Sequence, residues 1–128
     1  MVKKRHQTGE DVVSHLPLNP KVLMVLMALL QGPTHGYEIK KRAESQSGGS
    51  VRLDAGSLYR TLAQLEDRGL VQETDDRPDP EDDDPRRRYY ELTALGARVL
   101  KAEARRLREM LDLAEGNQFI PEPGSLVG

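Results

Sequence analysis

The chain has no cysteine and no tryptophan, and its 128 residues include one phenylalanine and four tyrosines. Without cysteine there can be no disulfide, no thiolate metal site and no cysteine nucleophile, which is compatible with a reducing, cytoplasmic setting. A long apolar run is missing too. The longest, VLMVLMALL from Val22 to Leu30, is about half of the roughly 20 residues that cross a bilayer, so it reads as a core helix and not a membrane anchor. The opening MVKKRH lacks the apolar stretch and small-residue cleavage site of a secretory signal. Positive charge is not in excess either: 19 Lys plus Arg stand against 21 Asp plus Glu. The net charge of −2 gives no global attraction to nucleic acid, so any contact with phosphates has to come from a local patch. His6, His15 and His35 are scattered, with no carboxylates at ligand spacing, and no metal site is expected. Catalysis would need a nucleophile beside a base, or paired carboxylates in a cleft. Here the acids crowd into one Asp/Pro-rich segment and no glycine loop cradles phosphates, so neither an enzyme nor a cofactor is expected.

What is present is a sequence of well-marked elements within a length that suits one domain. Residues 1–16 read as a flexible basic leader. Asn19 followed by Pro20 is a helix start, and Gly32-Pro33 is a stop, predicting a helix from Pro20 to Gln31. That helix is apolar nearly all round, so part of it is expected to be covered by a second chain. Thr34 caps a second helix through HGYEIKKRAESQS, which ends at Gly48-Gly49 and carries the cluster Lys40, Lys41, Arg42. Tyr37 is expected in the core, and His35 is expected to hydrogen-bond at the helix junction. SVRL reads as a short extended piece, after which Asp54 caps a third helix, AGSLYRTLAQLEDR. At 100° per residue, Ala55, Leu58, Leu62 and Leu65 share one face, while Ser57, Arg60, Thr61, Gln64 and Arg68 fall on or near the other. Gly69 sits at the left-handed stop position, with Leu70 folding back onto Leu65.

LVQETD and RRRYYELT have strand composition and flank the Asp/Pro segment, so they read as an antiparallel hairpin with a long loop. If Leu92 faces the core, Tyr90 does as well, and Tyr89 falls on the other side. Thr93 caps a last helix over residues 94–115. One stripe on it is Leu95, Val99 and Ala102; a second, Leu100, Ala104, Leu107, Leu111 and Ala114, has coiled-coil spacing. Two stripes imply two neighbours, the chain's own domain and a partner protomer. Residues 116–128 read as an irregular tail.

A helix pair, a two-faced third helix and a hairpin make residues 17–93 a winged helix-turn-helix, within a mainly α (α+β) fold that ends in a C-terminal dimerisation helix. LLQGPTHGYEIKKR, GSLYRTLAQLEDRGLV and RRRYYELTALG, in that order, resemble the PadR family of bacterial transcriptional regulators. The resemblance implies a homodimeric DNA-binding protein, usually a repressor, acting on a near-palindromic operator. It places the dimer interface on the first and last helices, here Val22, Val25, Leu26, Leu29, Leu100, Ala104, Leu107 and Leu111. It places DNA contacts on Ser57, Tyr59, Arg60, Thr61 and Gln64 of the third helix, Lys40 and Lys41 of the supporting helix, and Arg86, Arg87 and Arg88 of the wing. Double-stranded DNA, a second copy and an unidentified small-molecule effector are the implied partners. The sequence departs from the family in its acidic wing tip, DPEDDDP, which repels phosphate and is expected to pair with the arginines in the free protein. It has too few aromatics for an aromatic-stacking effector pocket. The alternative reading is a dimeric sensing or interaction module with weak DNA affinity, whose Glu81 to Asp84 run binds a basic partner or a cation.

Overall fold

Side-chain caps set the helix starts. In the computed structural model, which describes residues 9–78 and 84–118, Asn19 Oδ1 accepts from the Val22 amide at 2.9 Å and opens helix α2 (Pro20–Ala28). A short helix α1 (Gly9–Val13) precedes it. Asp54 Oδ1 accepts from the Ser57 amide at 2.7 Å and opens α4 (Ala55–Asp67), and Thr93 Oγ1 accepts from the Gly96 amide at 2.9 Å and opens α5 (Ala94–Gly116). Helix α3 (Gly36–Gln46) is capped by His35, whose ring nitrogen accepts from the Glu38 amide at 3.4 Å. Thr34, the residue expected to do this, is instead drawn into strand β1 (Thr34–His35).

Strands β2 (Val71–Thr74) and β3 (Tyr89–Leu92) form the expected hairpin, antiparallel from Val71 opposite Leu92 to Thr74 opposite Tyr89. β1 adds to the other edge of β3, with Thr34 opposite Tyr90, giving the order β1-β3-β2. SVRL does not join the sheet, although its Val51 and Leu53 are buried. Gly69 (φ 76°) lets the chain turn from α4 into β2, and the Leu70 amide donates to the Leu65 carbonyl at 2.9 Å, with both leucines fully buried.

The core draws on every helix: Val12 of α1, Val25 and Leu26 of α2, Ile39 of α3, Leu58, Leu62 and Leu65 of α4, and Val99 of α5, with Tyr90 from β3. Two expectations change here. The leader is folded in its second half, where α1 packs against α5 and buries Val12; residues 1–8 lie outside the described residues. The second change concerns α2, whose Val22, Val25, Leu26 and Leu29, expected at a dimer interface, are all buried within the chain's own core. Most of the apolar girdle of α2 packs on its own neighbours, α3 and α5, with Leu23, Met24 and Met27 half-buried and Leu30, just past the helix end, 57% exposed.

Helix α5 divides in the same way. Leu95, Val99 and Leu100 are buried in the core, so Leu100 too belongs to the chain's own interior; Ala104 is exposed, Leu107 is half-buried, and Leu111 is exposed. Between these halves sits Glu103, a carboxylate that is only 1% exposed. It accepts from the Leu18 amide at 3.1 Å and is clamped by the Arg106 guanidinium at 2.6 and 2.9 Å. The guanidinium holds the Glu103 carboxyl below the usual carboxylate range, and the carboxylate ties the α1–α2 connection to α5. Among the described residues no helix is long and apolar enough to cross a membrane.

Candidate nucleic-acid interface

Helix α4 is two-faced for a geometric reason. Taking Ser57 as origin at about 100° per residue, Leu58, Leu62 and Leu65 cluster roughly a quarter-turn to one side, while Arg60 and Gln64 fall on the other side. The three leucines are 2% exposed or less, and Arg60 and Gln64 are exposed. Neither polar side chain has a hydrogen bond or ion pair among the described residues. Thr61 belongs with the leucines: at about 40° from Ser57 it lies toward the packed side, and at 9% exposure it is withdrawn from the exposed face. Ser57 is half-buried, with its hydroxyl accepting from the Lys21 ammonium at 3.5 Å.

Tyr59 sits on the flank opposite Ser57. Its ring lies over Gly36, at the start of α3, so closely that a methyl group there would collide with it, yet the residue stays 43% exposed. Tyr37, expected in the core, is instead 62% exposed, with the Lys41 ammonium 5.5 Å from its ring centre. Lys41 also pairs with Glu38 at 3.6 Å, and Lys40 is half-buried. Arg42 is tied into the scaffold: it donates to the Ala28 carbonyl at 2.8 Å, satisfying an orphan acceptor at the end of α2, and is braced by Glu38 at 3.1 Å.

The wing holds its arginines differently. Arg86 makes two bonds to the Asp84 carboxylate, at 3.2 and 3.1 Å, while its side chain is 89% exposed. Hydrogen bonding from the Arg86 side chain, and then from its backbone amide, brings the Asp84 carboxyl down to about 2. Arg88 pairs with Glu73 across the hairpin. Arg77, which nothing in the sequence singles out, lies 4.6 Å above the Tyr89 ring and donates to the Arg87 carbonyl at 2.9 Å. That cover, with His35 edge-on at 5.4 Å, explains why Tyr89 is buried although it faces away from Tyr90. Of the acidic tip, Glu81, Asp82 and Asp83 lie outside the described residues. Tyr37 and Tyr59 on one side and Asp84, Arg86, Arg87 and Arg88 on the other line a cleft of about 550 Å³ between the starts of α3 and α4 and the wing.

The family model described as the transcriptional regulator PadR-like family matches residues 25–102, well over half of the chain and the whole of α3, α4, both wing strands and the start of α5. The chain belongs to this family. Its members are transcription regulators and not enzymes. Among solved structures, a PadR family transcription regulator from hypervirulent Clostridium difficile is 25% identical, with a TM-score of 0.59 over 78% of this chain and 97% of that one. RosR of H. salinarum is 26% identical, with a TM-score of 0.55 over 77% of this chain and 78% of that one. Bacillus subtilis PadR in complex with operator DNA shares the fold at 21% identity, with a TM-score of 0.52 over 63% of this chain and 44% of that one. An uncharacterized 37.1 kDa protein in transposon TN4556 of Streptomyces fradiae is 41% identical over 86 residues, 67% of this chain; the match spans 22% of that relative's length. The winged-helix architecture of this PadR-family chain therefore rests on sequence and on fold.

Proposed function

We propose that this PadR-family regulator binds double-stranded DNA as a homodimer in the cytoplasm, each copy placing α4 in a major groove of a near-palindromic operator, and that it represses by occupying promoter DNA. The observation that carries the reading is the pair Arg60 and Gln64, exposed and without a hydrogen bond or ion pair among the described residues, on a helix whose opposite face is packed. An arginine reads guanine O6 and N7 in bidentate fashion, and a glutamine reads adenine N6 and N7. Ser57 and Tyr59 at the helix start are suited to phosphate oxygens.

The second copy is supported by the far end of α5. Met110 and Leu111 are 54% and 48% exposed and lie on the same side of the helix as half-buried Leu107 and Ala114, leaving apolar surface for an equivalent helix. Two such copies present two recognition helices, whose half-sites lie about one DNA turn apart. A small-molecule effector would act by changing the angle between the two winged domains.

The test is to titrate the full chain against the DNA upstream of its own gene and footprint the complex. Two protected half-sites about one turn apart are expected, with a log–log salt slope of roughly −0.9 per phosphate neutralised. A single protected half-site, or affinity unchanged between low and moderate salt, overturns the proposal.

A further inference from the structure

Ser57 and Tyr59 stand about 200° apart around α4, so they mark its two edges, with Arg60 and Gln64 in the exposed arc between them. The Tyr59 edge borders the wing, whose Arg86 and Arg88 share its cleft. The Ser57 edge borders Lys21, which donates to the Ser57 hydroxyl at 3.5 Å. Lys21 and Arg52 together line a separate surface cleft formed by the start of α2 and the loop before α4. We infer that Lys21 and Arg52 form a second phosphate-binding shoulder, so that each recognition helix is held between two contacts to the DNA backbone, one from the wing and one from here.

The local fold builds this shoulder. Val51 and Leu53 are 7% and 2% exposed, and alternation along an extended chain turns Arg52, between them, outward. The turn behind it is satisfied internally: the Val51 amide donates to Ser47 Oγ at 2.9 Å, and the Ser50 hydroxyl donates to the Ser47 carbonyl at 2.8 Å. Arg52 therefore projects from a fixed base. Two acids are nearby. Asp54 is occupied with the Ser57 amide, and Glu44 pairs with Arg52 at a long 3.8 Å between side chains that are 42% and 76% exposed, a contact that a phosphate can replace. Phosphate contacts from the flanks fix the register of a helix in its groove without reading bases, which is what Arg60 and Gln64 need in order to read them.

This inference rests on the proposal that α4 binds DNA, and the experiment separates the two. In the full chain, the double variant Lys21→Ala/Arg52→Ala is compared with Arg60→Ala on the footprinted operator and on unrelated DNA, across a salt series. The double variant is expected to weaken both DNAs by a similar factor and to reduce the salt slope by roughly 1.8, or 0.9 for each phosphate lost, with unchanged thermal stability because both side chains are exposed. Lys21→Gln keeps a donor for Ser57 but no charge. It is expected to lose its share of the slope, whereas full activity in Lys21→Gln would reduce Lys21 to a brace for Ser57 and overturn its role here. An unchanged slope in the double variant, with Arg60→Ala still losing operator binding, overturns the shoulder alone. If neither variant affects binding, the reading of α4 fails and the shoulder fails with it.

Discussion

Helix α4 and the wing both carry arginines, but they hold them in opposite ways. In α4 the backbone is capped at both ends, one face is packed, and Arg60 stands without a partner among the described residues. In the wing, Arg77, Arg86 and Arg88 are each engaged, with the Arg87 carbonyl, Asp84 and Glu73 respectively. A groove entered by α4, as proposed, would meet a group whose hydrogen-bonding capacity is unused among the described residues. A phosphate approaching the wing has to exchange places with a carboxylate, and the net gain from such an exchange at an exposed site is small. Sequence recognition thus resides in α4 under the proposed function, and the wing contributes a weaker, salt-sensitive grip.

The most disruptive change should strike the joint that both regions share. Leu70 leaves α4 and enters β2; Thr93 leaves β3 and caps α5. The Thr93 amide donates to the Leu70 carbonyl at 3.1 Å, and its hydroxyl donates to the Gly69 carbonyl at 2.5 Å. Gly96 lies flat on this crossing, and a Cβ there would overlap the Leu70 carbonyl group, with its carbon at 2.9 Å. Because the obstacle is backbone and not a flexible side chain, Gly96→Ala is expected to cost about 3 kcal/mol or more, a fall in Tm of roughly 10 °C. Thermal melts followed by circular dichroism measure it. A Tm close to that of the parent would show that the joint can open without loss, and α4 and the wing would then be independent in a way the packing does not suggest.

Arg60→Ala should separate the two regions. Losing a bidentate base contact costs about 1–3 kcal/mol, or roughly 5- to 150-fold in operator affinity, with little change in Tm because the side chain is exposed. Unrelated DNA should be affected far less. Arg60→Lys should not restore the operator preference, since an ammonium cannot reproduce the planar fork. An equal loss on both DNAs would instead make Arg60 a phosphate contact and shift base reading to Gln64.

The same contrast explains what can be read from residues alone. Local signals specify α4: Asp54 as cap, Gly69 as stop, and leucines spaced so that one face must be buried. The wing strands are legible for the same reason, from β-branched and aromatic residues on either side of a breaker segment. Features made by distant parts of the chain are not. β1 is two residues long and exists only because β3 offers an edge to Thr34 and His35. Glu103 lies in KAEARR, which looks like a solvated charged face; only the arrival of Leu18, 85 residues earlier, gives its carboxylate a buried partner. The girdle of α2 is ambiguous in sequence, because a helix covered by its own domain and one covered by a second chain have the same pattern. Thr61 is hard to place because a polar residue near the edge of a helical face tells little about which neighbour covers it. Lys21 carries no signal of its own; its position matters only because the start of α2 is packed beside Ser57.

The smallest expected effect is the one that tests the wing most directly. Asp84→Asn removes the charge that holds Arg86, while an asparagine oxygen can still accept from the Arg86 amide, now bonded at 2.9 Å. Glu73→Gln does the same for Arg88. Each freed arginine should raise DNA affinity only modestly at low salt, by up to roughly fivefold, as for an exposed ion pair. The gain should shrink as salt rises, because cations compete for the phosphates that the arginine would neutralise. The sign of the pH dependence follows from the Asp84 carboxyl, brought down from 3.8 to about 2 by Arg86. A lowered carboxyl favours the paired state above its ordinary value and loses that preference only as the pH falls through about 2, so the benefit of Asp84→Asn should be constant from pH 5 to 8. A gain that varied within that window would have to come from another group. A loss of affinity in Asp84→Asn would mean that the carboxylate orders Arg86 for the phosphate instead of withholding it, and the wing would then resemble α4 in being pre-set for DNA.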